Sequence, residues 1–75
     1  MTGYIRDHHG LMAKVSAQIM RARKTGRITM EEMAERLGIC RQAYSKREQY
    51  PEQMTLGELY MLMDLLNLRA EDLIK

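Results

Sequence analysis

The segment ITMEEMAERLGICRQAYSKRE, residues 28–48, leaves the backbone few paths. Thr29 followed three residues later by Glu32 is a capping-box spacing. The threonine hydroxyl accepts from the Glu32 N–H and the glutamate reaches back, so a helix starts here. Met33, Ala34 and Leu37 then recur at helical spacing and define its inward face. Gly38 follows as a left-handed terminator, a conformation in which a Cβ is costly. Ile39 and Cys40 make the turn, and a second short helix runs from Arg41 to Arg47 or Glu48. Two helices joined by so short a turn must cross steeply and in close contact. That geometry needs a small side chain at the approach (Ala34), an unstrained reversal (Gly38) and apolar anchors on both sides: Met33, Leu37, Ile39 and Tyr44.

The remainder of the chain supplies helices for this pair to pack on. Residues 1–8 have no clear periodicity and are expected to form a flexible N-terminal arm, with a single domain over 9–75 and its motif at 29–48. From His9 to Lys24, Met12, Val15, Ile19 and Ala22 form a buried stripe beside Leu11 and Met20, and Gly26 breaks the pattern. Gln49 to Met54, with Pro51, reads as a polar loop. Thr55 with Glu58 repeats the capping-box spacing and opens a fourth helix, rich in Leu56, Leu59, Tyr60, Leu62, Met63, Leu65 and Leu66. A helix apolar on most sides is expected to be central or shared with a partner. Asn67 stops it in left-handed geometry, and a last short helix spans Ala70 to Ile74. No alternating β-branched run signals a strand. The expected fold class is all-α, five short helices.

Composition narrows the functional classes. Seventy-five residues form one domain near the lower size limit for a lone core, so pairing with a second copy would add stability. Apolar residues make up 45%, with eight Met and no Trp or Phe, and methionine here reads as adaptable core filler. A single cysteine, Cys40, excludes an internal disulfide framework and fits a reducing cytoplasm. No apolar run approaches the ~20 residues needed to span a bilayer, and MTGYIRDHHG lacks the order of a secretory signal. His8 and His9 are adjacent and have no i, i+4 partner, so no metal and no cofactor is expected. Cys40 at a helix start has the setting of a redox-sensitive thiol, but a small residue in a tight turn is the simpler reading. No nucleophile stands with a matched base, and no glycine-rich phosphate loop occurs, so an enzyme is not expected. Net charge is only +2, but it is unevenly spread. Residues 1–47 hold ten Lys/Arg against four Asp/Glu, and residues 48–75 hold two against six. A basic face toward a polyanion and an acidic region turned away from it follow from that asymmetry.

With these residues in view, the chain resembles the helix-turn-helix domains of phage Cro proteins and lambdoid repressors, the XRE family. The resemblance covers about residues 11–74 and is densest over 28–48. It implies that the second helix of the motif enters the major groove. Carried over, Arg41, Gln42, Ser45 and Lys46 fall on base-reading positions. Arginine suits guanine O6 and N7, and glutamine suits adenine N6 and N7. Phosphate contacts are implied for the start of the motif's first helix at Thr29 and Met30, for Lys24, Arg27 and Arg36, and for Gln49, Tyr50, Gln53 and Thr55 after the second. Arg23 and Glu48 match a family ion pair with a structural role. The chain departs from the family at Met30, where a bracing glutamine is common, at Cys40, where a Ser or Thr cap is usual, and at Arg47, where an apolar anchor is usual. The Arg47 stem is expected over the core with its head toward water or phosphate.

The function this implies is a sequence-specific transcriptional regulator, a Cro-like repressor of phage or mobile-element type. Its partner would be a double-stranded DNA operator, bound as a homodimer that forms in some cases only on DNA, across half-sites about 34 Å apart. Met61, Leu68, Leu73 and Ile74 are the expected dimer seam. An antitoxin or other protein-binding module on the same fold is the alternative, and a helical domain without DNA binding is a third reading.

Overall fold

A computed structural model describes residues 8–74, and all of its regular structure is helical. It contains four α-helices: α1 (His8–Thr25), α2 (Met30–Leu37), α3 (Arg41–Gln49) and α4 (Leu56–Leu66). Two 3-10 segments, Pro51–Gln53 and Ala70–Ile74, complete the order. The all-α class stands, but the fifth helix does not form as an α-helix. Asp72 draws its own segment tight. Its backbone N–H donates to the Arg69 carbonyl at 2.9 Å, and its carboxylate accepts from the Arg69 N–H at 3.0 Å. The arm expected over residues 1–8 lies, apart from His8, outside the described residues; His8 opens α1.

Both capping boxes form. The Thr29 and Thr55 hydroxyls accept from the Glu32 and Glu58 N–H groups at 3.1 and 3.0 Å, and each glutamate accepts from the cap N–H in return. Cys40 caps α3 with extended backbone but no side-chain hydrogen bond.

Three of the four helices end in the same way. After α1, α2 and α4 a residue turns left-handed: Arg27 (φ 57°), Gly38 (φ 73°) and Asn67 (φ 54°). The next N–H in each case reaches back five residues, from Ile28 to Arg23, Ile39 to Ala34 and Leu68 to Met63. These are Schellman terminations, and their apolar closing residues Ile28, Ile39 and Leu68 each pack on the core. Gly26 is therefore not the residue that reverses the chain after α1; Arg27 is.

The core is small. Ile19, Met33, Tyr44 and Leu62 are fully buried at its centre, with Val15, Ala34 and Leu73 around them. Helix α1 runs under the motif and touches α3, α4 and both 3-10 segments, while α2 packs on α3 and α4. Pro51 does not stand in a polar loop. It opens a 3-10 turn and is buried against α1 and α3. Helix α4 is not central: Leu62 is its one fully buried residue, and Leu56 and Tyr60 are 71% and 67% exposed.

Candidate nucleic-acid interface

Helix α3 carries two faces. Arg41, Gln42, Lys46 and Gln49 are exposed and Ser45 is half-buried, and their spacing puts all five on one side. Tyr44 and Glu48 lie on the other side and are completely buried. The first turn of α3 holds no acidic residue, so its N-terminal N–H groups carry their partial positive charge uncompensated by a local carboxylate.

The buried side fixes the exposed one. Arg23 Nε and Nη2 donate to Glu48 Oε2 and Oε1 at 2.9 and 3.1 Å, a bidentate pair between α1 and α3. The Tyr44 hydroxyl donates to the same carboxylate, the Ser16 hydroxyl donates to the Glu48 carbonyl at 2.6 Å, and Arg23 Nη1 donates to the Ile28 carbonyl. No buried side-chain N or O among the described residues is left without a partner. Hydrogen bonding to Glu48 raises the Arg23 pKa, and burial, reinforced by the adjacent carboxylate, raises that of the Tyr44 hydroxyl. Helix α3 is thereby held from α1 through Ser16 and Arg23, and Arg23 also fixes the segment just after the chain reversal at Arg27. Ser16 and the Tyr44 hydroxyl escape a sequence reading that treats Tyr44 as an apolar anchor. The i, i+4 spacing of Tyr44 and Glu48 was the available signal.

Arg47 places its head neither in free water nor beside the exposed face. Its Nε donates to Glu58 Oε1 at 3.1 Å and its Nη1 to the Ala43 carbonyl at 3.4 Å, so it ties α3 to the start of α4. Glu58 serves both this pair and the α4 cap. The Thr55 N–H, and secondarily Arg47, hold its carboxyl below the usual range.

The residues considered for phosphate contact differ in exposure. Lys24, Arg27, Arg36, Gln49, Tyr50, Gln53, Thr29 and Thr55 are exposed, and Met30 is half-buried against the core. At the start of α2 the Thr29 N–H and hydroxyl are engaged by Glu32, which leaves the Met30 and Glu31 N–H groups as the unspent donors there. Across the turn, Glu31 Oε2 approaches Arg41 Nε at 3.3 Å, both side chains being more than half exposed. Of the residues considered for a dimer seam, Leu73 is a correction: it is buried in the protomer's own core. Leu68 closes α4 and is half-buried, while Met61 and Ile74 are exposed.

Two short helices packed on each other across a tight turn, the second braced from behind and polar in front, define a DNA-binding helix-turn-helix domain. A family model described as Helix-turn-helix, of the Cro/C1 type, matches residues 19–73, and the chain belongs to that family, the XRE regulators. It is a family of DNA-binding regulators and not of enzymes. Neither the curated proteins nor the solved structures include a significant match to the chain. Among the described residues no helix is long and apolar enough to cross a membrane, and no group of three or more His, Cys, Asp or Glu is placed to hold a metal.

Proposed function

We propose that the protein is a sequence-specific regulator of Cro-like repressor type, from a phage or mobile element, that docks α3 in the major groove of an operator. The observation that carries this reading is the two-sided α3. Tyr44 and Glu48 are locked into the core while Arg41, Gln42, Ser45 and Lys46 face outward together. Arginine and glutamine in the first turn have the donor and acceptor patterns for guanine and adenine edges, and Lys46 and Ser45 lie one turn further on. Lys24, Arg27 and Arg36 supply charge for flanking phosphates, and Met30, Gln49, Tyr50, Gln53 and Thr55 supply hydroxyl, amide or backbone donors, with Thr29 contributing by fixing the start of α2 where the Met30 N–H is presented.

A homodimer reading two half-sites accompanies this proposal. Leu73 is committed to the core, so the seam would use the exposed Met61 and Ile74 with Leu68 at its margin. Selection from a random double-stranded DNA pool tests both parts. A palindromic consensus is the expected result, and recovery of no consensus at all would sink the sequence-specific reading.

A protein-binding reading has one observation in its favour. Leu56 and Tyr60 are exposed and, with Leu59, Met63 and Ala70, line a cleft of about 220 Å³.

A further inference from the structure

We infer that Glu31 is a positioning residue for base recognition: it holds Arg41 by its Nε so that the two terminal guanidinium nitrogens meet a guanine edge. The inference rests on the reading of Arg41 as a base contact. Glu31 lies in the first turn of α2 and Arg41 in the first turn of α3, on either side of the Gly38 reversal. Their closest approach is Glu31 Oε2 to Arg41 Nε, 3.3 Å.

The chemistry favours this orientation. A guanidinium offers five donors in a planar fork, and bidentate contact with guanine O6 and N7 uses only two of them. An arginine free to rotate presents those donors in many directions. Anchoring Nε removes much of that freedom and leaves Nη1 and Nη2 to address the base. Charge also matters. Glu31 places an anion near the face that approaches phosphates, which lowers affinity for every DNA sequence alike. Its pairing with Arg41 compensates only when Arg41 is aligned with its base. In water the exposed ion pair is weak, but excluding solvent at a DNA interface strengthens it. The pair trades general affinity for discrimination.

Nothing else on α3 restrains Arg41. Cys40 gives no side-chain cap, and among the described residues no other acidic side chain is paired with this arginine. Met30, the neighbouring residue at the start of α2, has an apolar side chain that packs on the core and does not pair with a guanidinium.

The test compares wild type, Glu31→Ala, Glu31→Gln, Arg41→Ala and the Glu31→Ala/Arg41→Ala double variant on a randomised double-stranded oligonucleotide pool. Base frequencies at each position and binding to bulk random DNA are both read. Glu31→Ala should reduce the preference at the one position that Arg41→Ala also relaxes, by about threefold or more, within the range one bidentate contact supplies. It should raise binding to bulk DNA, lower thermal stability by no more than the small loss of a first-turn carboxylate, and add no further loss of preference in the Arg41→Ala background. Glu31→Gln, which keeps an acceptor, should retain part of the preference. If Arg41→Ala relaxes a position and Glu31→Ala leaves that position as selective as in wild type, the positioning role is overturned. If Arg41→Ala relaxes no position, the base contact itself is wrong and the positioning role goes with it. Equal losses from Glu31→Ala with and without Arg41 also overturn it, because they show an effect that does not pass through the arginine.

Discussion

Arg23 and Glu48, twenty-five residues apart in sequence, meet inside the core through two nitrogen–oxygen contacts of 2.9 and 3.1 Å. The pair is what gives the outward face of α3 a fixed direction, since the carboxylate sits on the opposite side of the same helix.

Removing one partner should therefore be costly. Arg23→Met leaves a buried carboxylate with only the Tyr44 hydroxyl as a side-chain donor and should destabilise by about 3–5 kcal/mol. Adding Glu48→Gln removes the stranded charge while keeping an acceptor for Tyr44, so the double variant should be more stable than Arg23→Met alone. Urea unfolding midpoints decide this, and strict additivity of the two changes would show that the groups are not coupled. Tyr44→Phe keeps the ion pair and should cost less, about 1–3 kcal/mol.

Acid should weaken the α3–α4 tie. The Glu58 carboxyl is held below its usual range by the Thr55 N–H and by Arg47. A depressed folded-state pKa means that its contribution is present above the unfolded carboxyl value, about 4.3, and is lost as pH falls through the folded value. Glu58→Gln should flatten the stability profile below about pH 4.5 and lower the plateau at neutral pH. Thermal melts from pH 7 to 3 read both, and a profile parallel to wild type would remove Glu58 from the acid transition.

Arg27 and Gly38 occupy equivalent left-handed positions and should respond in opposite directions. Gly38 has open space where a Cβ would stand, so Gly38→Ala should cost only the backbone strain, about 1 kcal/mol. Arg27→Gly should stabilise by a similar amount, about 1 kcal/mol. It should also weaken DNA binding and reduce the salt slope by about one unit, since it removes the charge proposed to meet a phosphate. A variant both more stable and weaker in binding would separate the two roles; unchanged salt dependence would take Arg27 off the phosphate map.

Base and phosphate contacts should divide by their effect on sequence preference. Arg41→Ala should cost about 1–3 kcal/mol and relax selectivity at one base pair. Arg36→Ala should weaken binding to all sequences alike and lower the salt slope by about one unit. Titrations on matched and mismatched sites at several salt concentrations distinguish the two patterns.

Local chemistry made much of the fold legible. Thr29 with Glu32 and Thr55 with Glu58 fix helix starts because both partners of each cap lie within one turn. Gly38 and Asn67 fix helix ends because few residues tolerate left-handed backbone. Arg27 departs from that rule: beside a glycine, an arginine takes the reversal, and in this register the Ile28 N–H reaches the Arg23 carbonyl while its side chain packs on the core. Pro51 and Leu73 depart from the sequence expectation for a different reason. A proline in a polar stretch and a leucine near a chain end carry no local mark of what will cover them, and both are buried by contacts with helix α1.

The sequence by itself determined the all-α class, the helix-turn-helix geometry around Ala34 and Gly38, and which α3 side chains have the chemistry to read bases, since caps, spacing and side-chain type are local properties. Only the tertiary structure decided that Glu48 also gathers Tyr44 and Ser16, that Arg47 is taken by Glu58, that Glu31 reaches Arg41, and that α4 leaves Leu56 and Tyr60 uncovered. Each of these depends on how two elements pack, and a side chain's partner across such a contact is fixed by the crossing of the backbones and not by anything within its own helix.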